Sequence, residues 1–270
     1  MSMSNNRDEL TPWSAQWNYF RLALGFFSRI PMGKSVVYQP EFMHTCTQYF
    51  PAVGWLLAVL LVAMYLLASA LLGSLAAIAL VILVSVMLTG ALHEDGLADT
   101  CDGFWGGLTV ERKIDIMKDS RIGTYGACGL ILVLGAKFSL LYSLAELDVI
   151  IPALLIAYPL SRAMALTHVQ DLPYVSDLGS VKKNKSDPLA KPVSTAHLWF
   201  VLISGSLGVF LLPFFHITIL AIAVVLVRFC LRRWMKHHIG GFTGDVLGAA
   251  QQIQELAIYT VLLALARGSL

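Results

Sequence analysis

From residue 50 onward this chain is dominated by apolar runs, and their length limits what it can fold into more than any other feature. A hydrocarbon core about 30 Å thick calls for roughly 20 helical residues, and segments 50–73, 75–92, 128–147, 149–168, 198–215, 217–231 and 249–266 approach or exceed that. The last carries Gln251, Gln252, Gln254 and Glu255 in its first turns, so it begins polar. The whole chain is 57% hydrophobic and only 13% charged, far from the roughly quarter-charged composition of a soluble domain. The predicted fold is all-α, a polytopic transmembrane helix bundle of about seven spans. It forms a single domain over residues 1–270, with 1–49 as an N-terminal interfacial segment and 50–266 as the bundle. Within the former, "WNYFRLALGFFSRIP" mixes aromatics with Arg21 and Arg29 and stops at Pro31, the pattern of an amphipathic helix lying in the interface or of a short first crossing.

A formal net charge of +2 with dispersed basic residues argues against a nucleic-acid partner. Cys46, Cys101, Cys128 and Cys230 stand far apart, with no CxxC pair, and read as free thiols in a reducing compartment. The opening residues are polar and contain no signal-peptide core. The basic residues sort onto one side when connections alternate. One side holds Arg7, Arg21, Arg29 and Lys34; Arg112, Lys113, Lys118 and Arg121; Lys182, Lys183, Lys185 and Lys191; and Arg232, Arg233 and Lys236. The turns near residues 73, 146–148 and 213–216 hold none. The positive-inside rule then makes every long polar loop cytoplasmic and, with seven spans, leaves the C-terminus outside. Residues 169–196, with three prolines and a lysine cluster, read as a flexible solvated loop touching anionic headgroups. A homo-oligomer is left open.

Against this apolar background, "HEDGLADTCDGFWGG" (93–107) follows the second span with four carboxylates and no basic residue. If that helix continues past His93, then Asp95, Asp99 and Asp102 fall at i, i+4 and i+7, on one face. Carboxylates so placed repel one another, and a divalent metal is the natural neutraliser; an all-oxygen donor set favours Mg²⁺ or Mn²⁺ over zinc. Acids at the membrane edge are costly and mark function.

Two further constellations lie on the same side. In "ERKIDIMKDSRIGTYG", Asp115 and Asp119 are four apart, and Arg121 precedes Gly123, Thr124, Tyr125 and Gly126. A guanidinium beside a glycine turn makes a phosphate clamp. In "HHIGGFTGDVLGA", four glycines frame Thr243 and Asp245, a loop suited to present amides and one carboxylate to a diphosphate or its metal. Lys137, about half-way along the third span, needs a carboxylate or a phosphate as partner; Arg162 does likewise or snorkels to the interface.

Acids, a divalent metal, an Arg–glycine turn and a membrane pocket describe transfer of a phosphate-linked group by direct displacement. The CDP-alcohol phosphotransferase pattern fits poorly: Asp95, Gly96 and Ala98 match its DGxxAR opening, but Asp99 stands where its Arg belongs. A cation-coupled transporter would place its acids near mid-bilayer on broken helices. The chain more closely resembles the cobalamin synthase (adenosylcobinamide-GDP ribazoletransferase) family, over nearly its whole length. The resemblance is carried by His93 to Asp99 with Asp102-Gly103, by Asp119-Ser120-Arg121 to Gly126, by Gly240 to Ala249, and by "FFSRIP" at 26–31. It implies a Mg²⁺-dependent enzyme of the inner membrane that joins adenosylcobinamide-GDP to α-ribazole or its 5′-phosphate and releases GMP. It further implies that Asp95, Asp99 and Asp102 bind Mg²⁺ with Glu94 nearby, and that Asp119 is a further ligand or the base for the ribose hydroxyl. Arg121 and Lys137 would hold phosphate oxygens, and Asp245 would close the site.

Overall fold

The computed structural model describes residues 11–33, 35–175 and 191–268. Arg7, Lys34, Lys182, Lys183 and Lys185, and with them most of the 169–196 loop, lie outside the described residues. Helix α1 (Pro12–Phe27) starts at Thr11, whose hydroxyl accepts a hydrogen bond from the Ser14 amide. Leu22, Ala23, Leu24 and Phe27 are buried, whereas Trp13 and Trp17 are exposed. A short α2 (Pro40–Cys46) and a 3₁₀ turn lead into α3 (Phe50–Leu72), which turns at Gly73 into α4 (Ser74–Thr89).

The second apolar run does not continue through His93. Gly90 and Ala91 both adopt positive φ, 65° and 58°, and two successive left-handed residues cannot propagate a right-handed helix. The axis turns by 87° and a new helix, α5 (Leu92–Gly106), begins. The three aspartates keep their i, i+4, i+7 spacing on α5, but that helix is angled across the end of the bundle instead of prolonging a span. The segment before α2 reaches this break, where the Arg29 amide donates to the Leu88 carbonyl at 2.7 Å.

After α6 (Val110–Met117) come α7 (Thr124–Glu146), α8 (Ile150–Thr167), α9 (Thr195–Ser206), α10 (Phe214–Ile239) and α11 (Gly244–Ala266). Among the described residues, five helical segments are long and apolar enough to cross a membrane, six if the bent α4–α5 pair counts as one. The expected span at 198–215 is shorter than anticipated, because α9 with its 3₁₀ extension stops at Leu211, ahead of Pro213. No strand occurs among the described residues; one isolated bridge joins Tyr174 to Phe242.

Helix α8 is the central post, 83% buried over its apolar window against 17% for α7 and for α10, whose outer faces suit lipid. It packs between α3 and α11, and α11 in turn packs on α5 and α7. Where these helices meet, the interior is polar. Glu255 of α11 receives Lys137 of α7 at 2.6 Å and Arg162 of α8 at 3.9 Å, all three side chains being 3% exposed or less. Gln251 donates to Glu255 at 2.6 Å and to Ser161 at 2.9 Å, and the Tyr259 hydroxyl donates to Glu255 at 3.2 Å. The Arg162 guanidinium also bonds the Tyr158 carbonyl at 2.9 Å and lies over the Tyr158 ring. The glutamines read as the polar start of the last span are therefore interior residues, and Arg162 turns inward rather than snorkelling.

Taking away one member of such a pair strands a buried charge, at a cost of about 3–5 kcal/mol, whereas removing both costs much less. Lys137→Met and Glu255→Gln are each expected to lower the melting temperature of the detergent-solubilised protein sharply. The double variant is expected to recover part of the loss, and a thermal-melt double-mutant cycle checks this.

Candidate functional site

The acid helix α5 is held against two neighbours at very short range. On one side it meets the start of α11: a Cβ at Gly96 would sit 2.7 Å from the Asp245 carbonyl oxygen, so only glycine lets the backbones approach this closely. Thr243 caps α11 by accepting from the Val246 amide at 3.2 Å, which places Asp245 in the first turn beside the acid face of α5. On the other side α5 meets the start of α7. Both oxygens of Asp102 are engaged there, accepting from the amides of Gly123 at 2.7 Å and Gly126 at 2.8 Å. The first amides of a helix have no partner within it, and Asp102 supplies one. A Cβ at Gly123 or Gly126 would collide with this carboxylate. The glycine turn expected to offer amides to a phosphate thus offers at least these two to Asp102.

The three sequence motifs therefore converge on one end of the bundle, and two cavities open there. The polar one, about 250 Å³, is lined by Asp102, Arg112, Asp115, Asp119, Arg121 and Thr124, among others. Asp119 lies beyond the end of α6, so it shares this cavity with Asp115 without sharing its helix. Arg121 grips Asp119 in a fork, its Nη2 donating to Oδ2 at 2.7 Å and its Nε to both oxygens. This bond holds the exposed Asp119 carboxyl below the usual carboxylate range and raises the Arg121 guanidinium. The second cavity, about 260 Å³, is mostly apolar and is lined by residues of α1, α3, α5, α6, α8 and α11.

The structure separates the residues assigned to a metal. Asp95 is exposed, and Asp99 is half-buried within electrostatic reach of Asp245, Asp95 and Asp102. Glu94 is buried and accepts from Gln252 at 3.0 Å, its other oxygen having no partner. Asp102 is committed to α7. Among the described residues no three His, Cys, Asp or Glu side chains converge as ligands of one ion. The donors still fit a hard divalent cation, because Mg²⁺ is commonly held by one or two carboxylates plus substrate phosphates and water. Asp95 and Asp99 supply such carboxylates, with Asp245 alongside. Lys137 finds a carboxylate, Glu255, inside the bundle and away from either cavity's lining.

Sequence reasoning missed the Glu255 centre and assigned no part to His93. The signal for the first was present, since three glutamines and a glutamate inside a span-length helix ask for interior partners. For His93 only the packing reveals that its ring is buried.

Fold and site together define a polytopic helical membrane protein with carboxylates and guanidinium groups gathered at one end of its bundle. The cobalamin-5-phosphate synthase family matches residues 19–263, and the chain belongs to that family. Its relatives include proteins named adenosylcobinamide-GDP ribazoletransferase. One from Pseudoalteromonas atlantica is 48% identical over 92% of this chain and 91% of its own length. Another, from Vibrio cholerae, is 44% identical over 92% and 94% respectively, and one from Shewanella piezotolerans is 42% identical over 93% and 96%. No solved structure matches the chain significantly.

The two roles of the α5 acids separate experimentally. Asp102→Ala leaves the α7 amides unpaired and is expected to cost about 1–2 kcal/mol of stability. Asp95→Ala, at an exposed position, is expected to change stability by no more than about 0.5 kcal/mol; thermal melts of the two purified variants check both.

Proposed function

We propose that the chain joins adenosylcobinamide-GDP to α-ribazole or its 5′-phosphate, giving adenosylcobalamin or its 5′-phosphate and GMP. Family membership makes it a transferase of cobalamin biosynthesis. The observation that carries the finer reading is the meeting of the three motifs at α5: Gly96 against Asp245 on one flank, Asp102 on the amides of Gly123 and Gly126 on the other. A broken helix at the acids was also an expectation for a transporter, but family membership decides for the enzyme.

The polar cavity takes the diphosphate, with Arg112 and Arg121 at its wall as donors to phosphate oxygens. A ribose hydroxyl of the acceptor attacks the phosphorus nearer the corrinoid. The new O–P bond forms as the P–O–P bridge breaks, GMP leaves with the bridging oxygen, and the hydroxyl proton passes to a carboxylate of the site. Asp119 is poorly suited to take it, because Arg121 donates to both its oxygens. Asp95 and Asp99 are the residues that would hold Mg²⁺, with Asp245 beside them. The cation, when bound, supplies neutralisation of charge on the diphosphate. Asp102 and Gly96 act indirectly, by holding α5 in register with α7 and α11.

The membrane is the bacterial inner membrane, with the site facing the cytoplasm. Support comes from charge: α10 ends in Arg232, Arg233 and Lys236 and reaches the site end, where Lys113 of α6 bonds the His238 carbonyl at 3.2 Å. The positive-inside rule puts such an end in the cytoplasm.

Purified protein is expected to release GMP from adenosylcobinamide-GDP plus α-ribazole, and to stop when EDTA removes divalent metal. No GMP under Mg²⁺ titration would overturn the assignment, and CMP release from a CDP-alcohol lipid would replace it. Asp99→Ala is expected to lower kcat by about 10²–10³-fold while leaving the melting temperature close to that of the parent. Near-normal turnover of this variant across the same titration would remove Asp99 from the site.

A further inference from the structure

We propose that the apolar cavity between α1, α6 and the start of α11 is the subsite for the base of the acceptor nucleoside, with His93 as the residue that recognises its polar edge. The ligand class is a flat, largely apolar bicyclic nitrogen heterocycle carried on a ribose. This rests on the reading above that a ribazole, a dimethylbenzimidazole riboside, is the acceptor.

Three features of the cavity lead to this occupant. The first is its size: at about 260 Å³ it lies just below the usual span of small-molecule cavities, about 300–1,000 Å³. It is too small for a corrin macrocycle and suited to one aromatic group. The second is its wall. Phe27 stacks on Phe50 with centroids 3.9 Å apart and planes 21° apart, and Phe50 stacks on the His93 imidazole at 5.8 Å and 9°. The Arg162 guanidinium lies 5.8 Å from the Phe50 ring centroid. A nearly parallel series of rings anchored by a cation is a suitable surface for another flat aromatic group. The same wall gives the early "FFSRIP" motif a purpose that the phosphate chemistry does not.

The third feature is His93. Its side chain is 3% exposed, it lines the cavity, and neither ring nitrogen has a hydrogen-bond partner. A buried polar group left unpaired calls for an explanation. A cavity filled by a lipid chain would leave both nitrogens unpaired, whereas a heterocycle nitrogen or a sugar hydroxyl satisfies one.

Placement relative to the reacting groups agrees. Thr47, Lys118, Tyr174, Thr243 and Asp245 also contribute to the wall, and Asp245 is in electrostatic reach of Asp95. A nucleoside with its base in this cavity thus carries its ribose toward the acids. Helix α6 separates the two cavities: Ile114 and Met117 line the apolar one, and Asp115 and Ile116 line the polar one. His93 and Asp102 are nine positions apart on α5, about 14 Å along the axis. The cavities therefore hold different substrate parts on either side of the acid face.

The test uses the full-length protein in nanodiscs of phosphatidylethanolamine and phosphatidylglycerol. Labelled α-ribazole is expected to bind without the second substrate. Free 5,6-dimethylbenzimidazole is expected to displace it, and ribose 5-phosphate is not. Absence of binding, or displacement by ribose 5-phosphate but not by the base, overturns the proposal. In steady-state assays His93→Leu is expected to raise KM for α-ribazole about tenfold, the loss of one ordinary hydrogen bond. KM for adenosylcobinamide-GDP is expected to stay unchanged, and His93→Gln to restore part of the loss. An unchanged KM for α-ribazole in a folded His93→Leu protein, or a rise confined to the corrinoid substrate, overturns it. Wild-type competition needs neither a folded variant nor turnover. A protein that binds α-ribazole yet releases no GMP therefore contradicts the functional reading and keeps the subsite, while normal GMP release with no effect of the base contradicts the subsite alone.

Discussion

A lysine and a glutamate inside an apolar bundle can remain charged only if they meet, and Lys137 and Glu255 do so at 2.6 Å. Because the partners lie on α7 and α11, their pairing sets the relative depth of those two helices. Arg162 of α8 and the side chains of Gln251, Ser161 and Tyr259 complete the same centre. In surroundings without water, every one of these polar groups depends on an internal partner. A slip of one helix against another is penalised at several bonds together. The cavity end of the bundle inherits its geometry from this point, since α11 carries both Glu255 and, ten residues earlier, Asp245.

The break at Gly90 and Ala91 converts that rigid frame into a site. Had α4 run straight on, the acids would have left the bundle as a protruding helix end. Turned by 87°, α5 crosses to α11 and α7 and brings all three motifs together. Glycines at 96, 123 and 126 permit contact at backbone distance, and Asp102 exchanges exposure to solvent for two amide bonds. Division of labour among the carboxylates follows. Asp102 and Glu94 are held by protein groups, whereas Asp95 and Asp99 keep a share of accessible surface from which to meet a cation and its phosphates.

Much of this was legible beforehand, and the exceptions have physical causes. Apolar length identified most of the long helices. The 198–215 run was overextended because hydropathy does not register where a helix yields to a 3₁₀ turn. Aspartates at i, i+4 and i+7 correctly shared a face, but spacing within one helix could not reveal that the third would cap another. Likewise Lys137 was seen to need an anion; which one depended on a helix more than a hundred residues away. His93 stood in the first motif without a role, because burial of its ring against Phe50 is a property of packing and not of local sequence.

The sequence by itself determined the solvent and the inventory: helices long enough for a bilayer, charged residues few within the apolar runs, and three motifs in the order that the family shares. Those properties depend on hydrophobic length and residue type, which are local. Only the tertiary structure decided which polar groups face one another. Pairing across α5, α7, α8 and α11 arises from long-range packing and from a turn at Gly90 and Ala91 whose consequence lies tens of residues away. For that reason it separates Asp102 from Asp99, gives Lys137 to Glu255, and leaves both nitrogens of His93, a residue that lines the apolar cavity, without a hydrogen-bond partner.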